Sequence, residues 1–168
     1  MKHDRIKFES SSIRRAVQTQ QRVGATLLFQ SFSCFYTEMS INRAVMGETL
    51  SDPDFIRLSF GHWRGKINKK LIGRDFRLRP DDGVSGWMLP EFIGDQVQFH
   101  AVVGFDRKHD PDEMQKLMRR CWRLVSEKGS FNSASVSSLS QLEGECAPAF
   151  MLKFLKGKAP GFGFFKGT

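Results

Sequence analysis

VSGWMLPEFIGDQVQFHAVVGF, residues 84–105, holds two apolar runs joined by Gly94-Asp95. A Gly-Asp pair between alternating runs is a hairpin turn, so Val84 to Phe92 and Val97 to Phe105 are expected as antiparallel strands. A helix is expected just upstream, opening at Ser51-Asp52-Pro53. Ser51 or Asp52 can cap it, Pro53 suits its first turn, and Asp54 complements its dipole. Its apolar stripe is Ile56, Phe60, Trp63, Ile67 and Leu71, with Gly73 as the stop. Downstream, Asp110-Pro111-Asp112-Glu113 opens a second helix. Met114, Leu117, Met118, Cys121 and Leu124 or Val125 line its inner face, and Gly129 closes it.

Further out the signals thin. Ala25 to Phe35 (ATLLFQSFSCF) reads as a strand with imperfect alternation, which a bulge would explain. Residues 37–50 fit no single pattern. Ser130 to Leu139 is Ser-rich and suits either a short edge strand or a loop, and a last helix is expected around Gln141 to Lys156. The order β-α-β-β-α-β-α is that of a ferredoxin-like α+β fold, an antiparallel sheet with helices packed on one face. The chain divides into a polar, basic arm over 1–22, one domain over 23–158, and a Gly- and Phe-rich tail over 159–168. The tail, lacking periodicity, is expected either to be mobile or to dock on the body.

With 168 residues the chain is long enough for one well-filled core. No apolar run approaches the ~18 residues that span a bilayer, and the N-terminal MKHDRIKFESSSIRR lacks the apolar centre of a secretory signal. Cys34, Cys121 and Cys146 are odd in number, widely spaced and form no CxxC pair. Neither a zinc knuckle nor a disulfide framework follows, and a reducing cytoplasm is the expected compartment.

The net charge is +8, from 26 Lys and Arg against 18 Asp and Glu. Arg57, Arg64, Lys66, Lys69, Lys70, Arg74, Arg77 and Arg79 face a single acid, Asp75, between residues 57 and 79. So lopsided a run on a helix and its following loop suits a polyanion, because each neutralised phosphate releases a condensed counterion. Arg64, Lys66, Lys69, Lys70, Arg74, Arg77 and Arg79 are therefore the expected nucleic-acid contacts.

On the hairpin the residues with chemistry are Glu91, Gln98 and His100. Gln98 and His100 share a face because strand side chains alternate, and Glu91 lies across the turn. One imidazole, one carboxylate and one amide oxygen can hold Mg²⁺ or Mn²⁺. The same three also suit a hydrogen-bonded polar cluster on the sheet. His3, His62 and His109 have no partners at ligand spacing and receive no role.

From about Ser51 to Lys158 the chain resembles the HUH-type single-strand endonuclease domain of rolling-circle replication initiators and related transposases. The matching stretches are LIGRDF (71–76), the Arg79-Pro80 pair, LPE (89–91), QFHAVVGF (98–105), the Cys121-Trp122 pair and AFMLKFLKGK (149–158). The resemblance implies that Gln98-Phe99-His100 stands for the family's His-hydrophobe-His triplet, with Glu91 as its acidic partner on the metal. It also sets Phe150-Met151-Leu152-Lys153 on the family's Tyr-x-x-Lys pattern. Phe150 then occupies the nucleophile's position without a phenolic oxygen to attack a phosphodiester, while Lys153 is kept as a phosphate contact. Tyr36, the single tyrosine, lies just after the first expected strand and is read as structural.

The expected function is therefore a DNA-binding protein without nicking activity, an accessory or regulatory factor in replication or in a mobile element or phage. Single-stranded or hairpin DNA would lie across the basic helix and the sheet face around His100. One alternative is an active metal-dependent single-strand endonuclease using Tyr36 or a metal-bound water. Another is a ferredoxin-like module that binds an acidic protein partner through the same basic surface.

Overall fold

The computed structural model describes residues 19, 22–42, 53–79, 82–94, 96–126, 129–145, 147–158 and 164–165. Most of the expected N-terminal arm, the capping residues Ser51 and Asp52, the turn residue Asp95 and Cys146 lie outside the described residues. A helix over residues 22–31 (α1) is followed by β1 (Ser33–Asn42) and α2 (Pro53–Ile72). A 3₁₀ turn (Phe76–Leu78) leads to the hairpin β2 (Ser85–Ile93) and β3 (Gln96–Phe105). Then come α3 (Pro111–Arg123), β4 (Phe131–Val136), α4 (Leu139–Gly144), α5 (Ala149–Leu155) and β5 (Phe164–Phe165). Among the described residues no helix is long and apolar enough to cross a membrane.

The sheet order is β4-β1-β3-β2-β5, and every neighbouring pair is antiparallel. With β3 inserted between the parallel strands β1 and β2, the first four strands make the split βαβ arrangement expected of a ferredoxin-like α+β fold. Two residues of the tail dock on the sheet edge, Phe164 opposite Trp87 and Phe165 opposite Gly86.

The expected first strand needs correction. Residues 22–31 are helical, and β1 begins only at Ser33. Ala25 and Leu28 are buried and Phe32 packs behind them. These spacings of three and four belong to a helix, and they account for the poor alternation without a bulge. From Ser33 onward alternation is strict: Phe35, Thr37, Met39 and Ile41 are buried on one face, with Cys34, Tyr36 and Glu38 on the other. The expected last helix is two short ones. Pro148 lacks the N–H that a continuous helix would use, and it precedes α5 instead of continuing α4. The second expected helix opens as read, with the Asp110 side chain accepting from the Glu113 amide at 2.9 Å and Pro111 in the first turn.

Helices cover both faces of the sheet. On one side Phe60, Trp63 and Ile67 of α2 and Met114, Met118 and Trp122 of α3 pack on Phe35, Met39, Phe99 and Val103. Against the expectation of an open second face, Ala25 and Leu28 of α1, Leu142 of α4 and Met151, Phe154 and Leu155 of α5 pack on Tyr36, Trp87 and Val102. The backbone closes tightly after α3. A Cβ built on Gly129 would overlap the Ser40 carbonyl oxygen and Ser126 Oγ. Gly129→Ala is expected to lose about 2–3 kcal/mol in urea unfolding, since the neighbour on one side is main chain that cannot swing away. A loss below ~0.5 kcal/mol would show that the loop relaxes freely.

Candidate nucleic-acid interface and the His100 cluster

Strand register assembles the first group. Glu91 pairs with Gln98 on the hairpin, and β1 brings Glu38 opposite His100 and Tyr36 opposite Val102. These side chains share the α1/α4/α5 face. His100 is buried, with its side chain 4% exposed, whereas Glu91 and Glu38 are 38% and 30% exposed. His100 Nε2 lies 2.9 Å from Glu91 Oε2, and Nδ1 lies 2.9 Å from Tyr36 Oη. The Tyr36 hydroxyl donates to Glu38 Oε1 at 2.8 Å. A chain of polar contacts thus runs from Glu91 through His100 and Tyr36 to Glu38, leaving both imidazole nitrogens engaged. Such satisfaction is what allows a nearly buried histidine on the sheet.

The Phe150 ring stands edge-on to the His100 ring, centroids 5.5 Å apart, where it caps the imidazole from α5. Lys153, one turn along α5, is exposed. Of the three residues expected to bind a metal, Glu91 and His100 meet directly. Gln98 shares their face, but the polar contacts of the cluster pass through Tyr36 and Glu38 instead. Among the described residues no group of three His, Cys, Asp or Glu side chains is disposed to hold a metal ion. Glu91 is bonded to one imidazole nitrogen of His100 and the other nitrogen faces the Tyr36 phenol.

Tyr36 and Glu38 were missed as members of this group. Their signal was present as alternation over residues 33–42, which sets positions 36 and 38 on one face. It was hidden because the strand was placed over residues 25–35. Tyr36→Phe is expected to lower stability by about 1–3 kcal/mol, because Glu38 and His100 Nδ1 each lose a partner in a poorly solvated site. For a domain of this size that is a fall in Tm of roughly 2–12 °C. Thermal unfolding checks this, and an unchanged Tm would show that water replaces the phenol for both partners.

The second group lies on the other side of the sheet. α2 turns Trp63 and Ile67 inward and leaves Lys66, Lys69 and Lys70 exposed. A cleft between α2 and the 3₁₀ turn is lined by Gly61, His62, Arg64, Gly65, Lys66, Lys69, Phe76 and Arg77. Cβ atoms added at Gly61 and Gly65 would meet nothing within 4 Å, so the helix backbone is bare to the cleft there. The Arg77 guanidinium lies 5.8 Å from the centroid of the Phe76 ring, a cation–π contact that holds the charge at the rim. Arg64 is partly buried, and burial pulls its pKa below the ordinary guanidinium value. Asn68, fully buried, accepts the Val84 amide at 3.0 Å and ties α2 to the start of β2.

The other expected contacts differ. Arg74 is exposed in the turn after α2, Arg79 forms an ion pair with Asp82, and Lys70 is exposed on α2. Burial raises the Cys121 thiol pKa, and Lys66, Lys70 and Arg120 act against that rise. Sequence reading assigned Arg120 no role, although Arg119, Arg120 and Arg123 recur on the outer face of α3. The expectation of one continuous surface from the basic helix to His100 is corrected: α2 packs on the Phe99 face, and His100 points to the opposite one. No protein-family model and no curated protein matches the chain.

Proposed function

We propose that this chain is a DNA-binding protein that does not nick its substrate, and that phosphates lie in the cleft between α2 and the 3₁₀ turn. The observation that carries this reading is the gathering of Arg64, Lys66, Lys69 and Arg77 at a cleft whose helix wall is bare at Gly61 and Gly65. Cations at that density attract a phosphodiester backbone and gain from counterion release. A bare helix wall lets the backbone approach closely.

The absence of nicking rests on two side chains. Phe150 covers His100 with a ring that has no nucleophilic atom, and Tyr36 is 4% exposed with its hydroxyl held between His100 and Glu38. A covalent mechanism needs a reachable, activated oxygen. The resemblance of residues 51–158 to HUH-type replication initiators supports DNA as the polyanion and an accessory or regulatory part in replication or in a mobile element or phage.

The test is incubation with labelled single-stranded DNA and Mn²⁺, followed by denaturing electrophoresis, together with a salt titration of binding. The expected result is binding that falls steeply with salt, no cleavage product and no covalent adduct. A metal-dependent product would establish the endonuclease alternative. Lack of any nucleic-acid binding at low salt would leave the acidic-protein reading.

A further inference from the structure

The cleft holds more than charge. Phe76, on its 3₁₀-turn side, is half-buried and belongs to neither core cluster. The turn that carries it buries no residue. A scattered apolar side chain on a surface is ordinary. This ring, however, is set in one cleft with Lys66, Lys69 and Arg77, and the Arg77 guanidinium lies 5.8 Å from its centroid. The lysines attract phosphate; the phenyl ring has no part in that.

The cleft has a volume of about 710 Å³, within the roughly 300–1,000 Å³ of small-molecule sites. In front of Gly61 and Gly65 the space is open, since an added Cβ at either would meet nothing within 4 Å. There is room for a whole nucleotide, not for a phosphate alone. A nucleotide joins a planar base to a phosphate through one sugar. Within a duplex the base faces are stacked on neighbouring pairs, and only edges and phosphates remain to be met. An unpaired base offers its face to an aromatic side chain or a guanidinium plane.

We infer that the cleft takes an unpaired nucleotide of a polynucleotide strand, its base stacked on Phe76 and its phosphates on Lys66 and Lys69. This inference rests on the DNA-binding reading above and adds a base contact and the residue that makes it.

The experiment is fluorescence anisotropy across a range of salt with three labelled probes. They are a short oligothymidylate, an abasic strand with the same number of phosphates, and a fully paired duplex. The unaltered chain is compared with Phe76→Ala, Phe76→Leu and Phe76→Trp, each checked for folding by far-UV circular dichroism. Phe76→Ala and Phe76→Leu should weaken the oligothymidylate by about 10-fold with an unchanged salt slope, since no charge is lost. The abasic strand and the duplex should stay within about twofold. Phe76→Trp should keep the affinity. Trp63, Trp87 and Trp122 are at most 5% exposed. Quenching seen in Phe76→Trp but not in the unaltered chain therefore comes from the cleft, and the oligothymidylate should cause it while the abasic strand does not. Thymidine monophosphate should compete only far above the concentration of the oligothymidylate.

Unchanged oligothymidylate affinity in both Phe76→Ala and Phe76→Leu overturns the base contact and leaves phosphate binding standing. Equal losses on the abasic strand also overturn it, because the ring would then only shape the cleft. Competition by thymidine monophosphate at matching concentration overturns the strand and makes the ligand a free nucleotide. If no probe binds the unaltered chain at low salt, the DNA-binding reading fails and the inference falls with it.

Discussion

Lys69→Glu combined with Arg77→Glu should abolish measurable DNA binding at physiological salt while leaving the protein folded. Both residues are exposed and line the cleft, and neither contributes to the core. Each phosphate contact contributes a salt-dependent factor with a slope of about 0.9, or roughly fivefold at 0.15 M salt, so neutralising two costs about 30-fold. Reversing the sign adds a repulsion of similar size, bringing the loss to roughly 10³-fold. The diagnostic is the pattern across sequences and salt. Phosphate contacts carry no base information, so the loss should be uniform over unrelated DNA sequences, and the remaining binding should have a shallower salt slope. A loss confined to one DNA sequence would mean that these residues read bases. Unchanged binding would move the interface away from α2 altogether.

The same loss should appear without any change at the His100 cluster, because the sheet separates the two groups. Charge pattern along the sequence could locate the cations but not divide them. Lys66, Lys69 and Lys70 are near neighbours in sequence, yet helical geometry puts Lys66 and Lys69 at the cleft and Lys70 outside its lining. That division depends on where the 3₁₀ turn docks against α2.

The central hairpin was legible to within a residue at each strand end, because alternation and a Gly turn are local signals. α3 was legible for the same reason, its Asp-Pro cap lying next to the first buried methionine. Residues 25–35 were not. A short apolar run with Leu and Phe at irregular intervals satisfies strand and helix alike. Burial at Ala25 and Leu28 decides for the helix, and that burial needs a sheet face to pack on.

The site follows the same logic. Glu91 and His100 are 9 residues apart across one turn, and their contact could be read from the hairpin. Tyr36 and His100 are 64 residues apart. Their contact requires β1 to pair with β3 in one register, so misplacing β1 removed Tyr36 and Glu38 from view. Pro148 is the reverse case, a local signal inside the expected last helix that marks the break between α4 and α5.

Trp63→Ala should cost about 3–5 kcal/mol, the largest stability loss expected from a single core substitution here. Trp63 is fully buried at the meeting of α2, α3 and β4. Its ring lies 5.1 Å from Phe60, 6.3 Å from Trp122 and 6.4 Å from Phe131, centroid to centroid, and its indole N–H donates to the Met118 carbonyl at 3.0 Å. Alanine would remove the whole ring and leave a cavity walled by other aromatics, which are too rigid to collapse into it. Domains hold only about 5–15 kcal/mol in total, so this variant should sit near its unfolding threshold. Urea unfolding should show a lower midpoint with an unchanged slope. Trp63→Phe retains most of the buried area and loses the indole hydrogen bond, so it should cost about 1–2 kcal/mol and keep DNA affinity. That pair separates the two duties of α2. The helix is held by its Trp63 face, and on the proposed function it binds by its Lys69 face, so a conservative core change should move stability alone. If Trp63→Phe lowered affinity at full folding, the cleft would depend on the fine packing of α2, and the two faces would not be independent.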